Sequence, residues 1–149
     1  MTAVADTSPV CYLNLIGEIG VLPQLFGKIL IPQAALKELR HHEAPELVQV
    51  WAHRLPSRVS VFETAVTNAS GLEKLQAGER AAILLAEFKE AEIILLDEKA
   101  ARRVASDRGL RVTGILGLLG EASTRGLVDL PAALDRLRKT NFRCSAALL

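Results

Sequence analysis

Residues 92–97 read Glu-Ile-Ile-Leu-Leu-Asp, and no other stretch limits the possible folds so strongly. A half-exposed strand would alternate apolar and polar positions, whereas four consecutive aliphatic residues suit a strand covered on both faces. Strands of that kind belong to parallel sheets with helices packed on each side. The rest of the chain supplies both. Val4-Ala5 leading into Asp6, Lys28–Ile31, Arg58–Phe62 and Leu110–Val112 read as further strands. Between them lie helical patterns: Pro9–Leu15 with Ser8 as N-cap, Glu18–Phe26, Pro32 to about Arg40, and Ala44–Leu55. A strongly apolar helix starts at Gly78-Glu79 and runs through Ala86. The next covers Glu98–Asp107 and is closed by Gly109, a suitable C′ residue. Ile115–Thr124 and Ala132–Lys139 read as the last two helices, and Thr67–Gly71 is the clearest loop. The expected fold is a single α/β domain over residues 1–149, with a central, mostly parallel sheet of four to five strands flanked by helices.

Composition narrows the partners. Hydrophobic residues make up 50% of the chain and aromatics only 4%, so aliphatic side chains must fill the core. The formal charge of +1 gives no whole-molecule attraction to nucleic acid or membrane, so an anionic partner needs local basic patches. Cys11 and Cys144, with no Cys-x-x-Cys spacing, read as reduced packing residues of a cytoplasmic protein. The start lacks the basic n-region of a signal peptide. No apolar run reaches the roughly 20 residues that a membrane span requires.

In open parallel sheets the reactive crevice lies beyond the carboxyl ends of the strands, and two strands here end in an acid. Asp6 follows Val4-Ala5, and with Ser8 assigned to the cap it has no evident structural task. Asp97 ends the apolar run, although capping the helix from Glu98 would also explain it. Glu79 sits in the first turn of its helix, where the macrodipole favours any carboxylate. Glu38 lies on the flank of an amphipathic helix, a position usually solvated.

The pattern Asp6-Thr7-Ser8-Pro9, Ile31-Pro32 with Glu38, Gly78-Glu79-Arg80-Ala81-Ala82-Ile83, Leu95-Leu96-Asp97-Glu98 with Ala101-Arg102, Val112-Thr113-Gly114 with Leu116-Gly117, and Phe142-Arg143 with Ser145 resembles the PIN-domain family. It is close to the VapC-like toxins of toxin–antitoxin pairs, in a subgroup otherwise uncharacterised. The resemblance spans nearly the whole chain, and it rests on the order of the pieces rather than on any one of them. It implies a PIN-like three-layer fold and an acidic cluster of Asp6, Glu38, Glu79 and Asp97. Asp6, Glu79 and Asp97 would hold Mg²⁺ or Mn²⁺, and Ser8 would support them. The implied activity is metal-dependent endoribonuclease cleavage of an RNA substrate, with an antitoxin protein as partner and a homodimer as a further possibility. Hard divalent cations prefer oxygen ligands, so such a centre needs neither His nor Cys. One position departs from the pattern: Ile115 stands where relatives often carry Thr. A non-catalytic PIN-fold module that binds RNA or a protein partner is the alternative.

Lys99, Arg102 and Arg103 share a helix face just beyond Asp97 and are candidates for holding an RNA backbone, although Glu98 and Arg102 also suit an i, i+4 ion pair. Trp51 with Leu47, Val48 and Leu55 reads as core packing or as an interface. The adjacent His41-His42 pair points two ways from a helix and does not suit a metal site. No Gly-x-Gly-x-x-Gly or Walker pattern is present, and a haloacid-dehalogenase-like or receiver-like reading lacks its second acid near Asp6.

Overall fold

Five short strands form one all-parallel sheet in the order β3-β2-β1-β4-β5. They are β1 (Thr2–Ala5), β2 (Lys28–Pro32), β3 (Val59–Phe62), β4 (Ile93–Leu95) and β5 (Val112–Thr113). The computed structural model describes residues 1–64 and 71–140. Most of the expected loop at 67–71, the closing Phe142-Arg143 and Ser145 match, and Cys144 therefore lie outside the described residues. The chain starts in the middle of the sheet, builds outward through β2 and β3, then returns to place β4 on the other side of β1. This reversal makes the β1–β4 seam the topological switch point, where open α/β sheets bind their ligands.

Alternation along each strand divides the core into two layers. Ala3, Ala5, Ile29, Ile31, Ile93 and Leu95 face one side. There they meet α1 (Thr7–Leu15), α2 (Val21–Leu25), α3 (Gln33–Leu39), α4 (Glu46–Ala52), α7 (Ile115–Thr124) and α8 (Leu130–Arg138). Val4, Leu30, Ile94 and Leu96 face the other side, against α5 (Ala77–Phe88) and α6 (Lys99–Asp107). The run at residues 93–96 is buried throughout, as its unbroken apolar character requires. The result is the expected three-layer α/β architecture. Among the described residues no helix is long and apolar enough to cross a membrane.

Several boundaries differ from the sequence reading, each for a local reason. Helix α1 begins at Thr7, so Ser8 lies inside the first turn and Asp6 takes the N-cap position. Pro9 is tolerated one residue further in, because first-turn N–H groups have no helical partner to lose. Helix α4 starts at Glu46 rather than Ala44, since Pro45 drives the residue before it out of helical conformation. Its buried pair is Val48 and Ala52, one turn apart. Leu47 and Val50 face solvent, and Trp51 is half-buried against the larger core layer. Cys11 is half-buried, and burial pushes its thiol pKa upward.

Candidate active site

Asp6 and Asp97 follow the adjacent strands β1 and β4, on the seam where the topology reverses. The strands pair Ala5 with Leu95, and the Asp6 N–H donates to the Leu95 carbonyl at 3.2 Å. Both aspartates are buried, at 6% and 2% exposure. Asp6 stands at the N-cap of α1, yet its carboxylate makes no capping bond to the helix. Part of the reason is in the sequence: a cap bonds the N–H of the second or third helical residue, and the third here is Pro9.

Helix α5 brings in the third acid. Glu79, its third residue, accepts the Gln76 N–H at 3.0 Å through Oε1. The structural and the chemical readings of Glu79 therefore coexist, because one oxygen closes a capping box while the residue stays 6% exposed beside Asp6. Gly78, one residue earlier, lies against side chains of α3 and of the start of α1. A Cβ there would lie 2.6 Å from Glu38 Oε1, 3.0 Å from Asp6 Oδ1 and 3.4 Å from Thr7 Oγ1. Three oxygens, one from α3 and two from the start of α1, thus surround one missing methyl group. Glu38 is otherwise exposed, with Oε1 turned inward to this glycine.

Asp97 does not cap α6, whose N-cap is Glu98. Its Oδ1 reaches instead to the start of α7 and accepts the Ile115 N–H at 2.7 Å. Gly114 permits the approach, since a Cβ there would sit 2.9 Å from Asp97 Oδ1 and 3.2 Å from an Arg102 guanidinium nitrogen. Position 115 therefore holds Asp97 by its backbone, which any residue except proline supplies. The Ile side chain, fully buried, goes into the core.

The electrostatics record the crowding. Burial, opposed by the Thr7 backbone N–H and reinforced in turn by Glu79, Glu38 and Asp97, pushes the Asp6 pKa up to about 7. Burial likewise raises Asp97 to about 6, against the lowering effects of the Ile115 N–H and Arg102, with Glu98 adding to the rise. Glu38 and Glu79 are also raised, first by burial of their carboxyl ends; Glu79 then repels Glu38, and Glu98 repels Glu79. Among the described residues Asp6 Oδ1 and Asp97 Oδ2 are buried without a hydrogen-bond partner, and so is Thr7 Oγ1, which faces Glu38 without an aligned bond. A buried acceptor left unpaired is costly, so the fold gathers carboxylates that its own groups do not satisfy.

Such a donor set suits a hard divalent cation. Among the described residues no three acids, histidines or cysteines stand together closely enough to enclose an ion by themselves. Mg²⁺ does not need that enclosure, because it commonly keeps several waters and binds one or two carboxylates directly. The orphaned oxygens on Asp6 and Asp97 fit that mode.

A family model described as a PIN domain matches residues 2–149. The chain belongs to the PIN-domain family. Among solved structures it is similar to a PilT N-terminus domain protein of the hyperthermophilic archaeon Sulfolobus solfataricus P2, with a TM-score of 0.62 and 18% identity. The alignment covers 82% of this chain and 93% of that one, and at this identity the likeness concerns the fold. No curated protein matches the chain. PIN domains are a nuclease-type fold whose members generally use divalent metals.

The remaining candidates are distributed around the PIN centre. Ser8 is half-buried in the first turn of α1. Arg102 is half-buried and turned toward Asp97, whereas Lys99 and Arg103 are exposed on α6. Glu98 and Arg102 form no ion pair among the described residues, and only a backbone bond joins them. Sequence reasoning missed Thr7, Glu98 and the two cradle glycines as parts of the site. Gly78 and Gly114 each adjoin residues already singled out, and their signal was the absence of a side chain next to an acid.

Proposed function

We propose that this PIN domain is a metal-dependent endoribonuclease acting as the toxin of a toxin–antitoxin pair. The observation that carries this reading is the pair of buried, unpartnered oxygens on Asp6 and Asp97 at the switch point, with Glu38 and Glu79 pressed against the same place. Mg²⁺ or Mn²⁺ held by Asp6, Glu79 and Asp97 would supply a Lewis acid that polarises the phosphodiester and makes water nucleophilic near neutral pH. The protein's own part is to orient. The Ile115 N–H fixes one Asp97 oxygen and leaves the other buried with no partner among the described residues. The Gln76 N–H fixes one oxygen of Glu79. Glu38, on the mobile end of a long side chain, is suited to accept the proton of an attacking water. Ser8 supports the start of α1, and Arg102 balances negative charge beside Asp97. Lys99 and Arg103 offer contacts to the RNA backbone. An antitoxin of this class would cover the acidic crevice, and the exposed Leu47 and Val50 beside Trp51 would serve a homodimer.

The test is cleavage of labelled RNA and of matched single-stranded DNA with Mg²⁺, Mn²⁺ or EDTA. Metal-dependent cutting of RNA that Asp6→Asn abolishes is the expected result, together with loss of growth inhibition on expression. RNA bound equally by both proteins and never cut would support the second reading, a non-catalytic PIN module. The +1 net charge favours that module.

A further inference from the structure

Lys28 and Arg58, at the amino ends of β2 and β3, and Lys89 converge on one pocket of about 410 Å³ that extends along β3 to Phe62. They come from three distant parts of the chain. Lys28 opens β2, Arg58 immediately precedes β3, and Lys89 follows the last residue of α5. Ser57, Ser60 and Phe62 complete the walls, and no acidic side chain lines the pocket among the described residues. None of the three cations forms an ion pair with a described residue. Arg58 spends one N–H on the Pro23 carbonyl at 2.9 Å, and Lys89 lies 4.2 Å from the centre of the Phe62 ring. The nearby Glu92 is occupied by the Met1 amine and the Thr2 N–H. Three like charges are thus held around a cavity with hydroxyl donors and no counter-charge, in a protein whose overall charge is +1.

We propose that this pocket binds the phosphodiester backbone of RNA, several nucleotides from the bond cut at the acidic centre; this rests on the ribonuclease reading above. Helix α5 links the two places. It starts beside Gly78 in the acidic site and ends at the pocket, and its 12 residues at 1.5 Å each make a separation of about 18 Å. The edge strand β3 runs between the same two ends of the sheet. A near-neutral nuclease thereby acquires the local basic patch that its net charge does not provide.

The experiment measures the affinity of the native chain, in EDTA so that nothing is cut, for a short labelled single-stranded RNA across a series of KCl concentrations. The same series is run on Lys28→Gln/Arg58→Gln/Lys89→Gln. Each phosphate contact to a single strand contributes about 0.7 to the slope of log K against log salt, so the triple variant should flatten the slope by about 2. Each single substitution should flatten it by about 0.7, which serves if the triple variant does not fold. Unchanged slopes with RNA still bound would overturn the proposal and leave the ribonuclease reading standing. No RNA binding by the native chain would overturn that reading and the pocket's role with it. Stabilisation by pyrophosphate that the triple variant loses, alongside unchanged RNA slopes, would make the pocket a free-anion site and also overturn the proposal.

Discussion

The two ends of the sheet carry opposite charge, and the fold leaves both unbalanced. At the carboxyl end four acids surround β1 and β4, with Asp6 and Asp97 buried and partly unpaired. At the amino end three cations stand exposed around a pocket that no acid lines among the described residues. Two of the ion pairs elsewhere are close: Arg108 takes Glu87 at 2.8 Å across α6 and α5, and Arg136 takes Glu18 at 2.7 Å. The difference lies in burial. Exposed cations are screened by water and salt and cost little, whereas buried carboxylates change their protonation instead. The acidic end should therefore dominate the behaviour of the molecule, and the basic end should show itself only when an anion is offered.

The largest effect falls on activity. Asp6→Asn or Asp97→Asn should reduce RNA cleavage below detection in a gel assay, while the basic-pocket variants keep cutting with a raised KM. Equal losses at both ends would erase the contrast.

Next comes pH. Unfolded aspartate titrates near 3.8, and folded Asp6 and Asp97 at about 7 and about 6. Between those values the native state holds protons that the unfolded state has released. The metal-free protein therefore loses stability as pH rises from about 4 to 7. At 1.36 kcal/mol per unit the two shifts together set an upper limit of about 7 kcal/mol on the loss. Urea midpoints in EDTA should fall between pH 5 and pH 8. Asp6→Asn should flatten that fall and be more stable than the native chain at pH 8. A midpoint that rises with pH would show that the acids are relieved by the fold after all.

Gly78→Ala separates site from scaffold. Alanine improves an exposed helical position by roughly 1 kcal/mol over glycine, but here the methyl meets Glu38 and Asp6. Glu38 can swing away at little cost, so stability should change by about 1 kcal/mol or less while cleavage falls by an order of magnitude or more. Activity retained would mean that the crowding at Gly78 is incidental.

Ile115→Thr should give the smallest change in the site. The backbone N–H that holds Asp97 remains, so Mn²⁺ binding should stay within about twofold. The buried hydroxyl should cost about 1–3 kcal/mol of stability, read from the urea midpoint. A gain in metal affinity would give a hydroxyl at this position a role in the site.

How legible all this was in the sequence differs by residue. The run at 93–96 announces a covered parallel strand because burial on both faces removes every polar position. Strand ends marked by Asp6 and Asp97 were readable for the same reason. Helix starts were less so: Ser8-Pro9 looks like a cap, but Asp6 holds that position, and Pro45 shortens α4 by two residues. What no spacing revealed is closeness between elements. Glu38 and Asp6, 32 positions apart, both lie against Gly78, and Asp97 reaches Ile115 across Gly114. The basic pocket joins residues 28, 58 and 89, whose convergence depends on strand order, and sequence reading favoured Lys99, Arg102 and Arg103 because they share one helix.

The central claim, that unpaired carboxylates at the β1–β4 seam form one metal site, is tested most directly by thermal unfolding at pH 8 with and without Mn²⁺. Binding to the folded state alone must raise the midpoint. The native chain should gain several degrees in millimolar Mn²⁺, and Asp6→Asn/Asp97→Asn should gain none while starting from a higher midpoint in EDTA. A native chain that Mn²⁺ leaves unmoved, or a double variant that gains as much, would contradict the account.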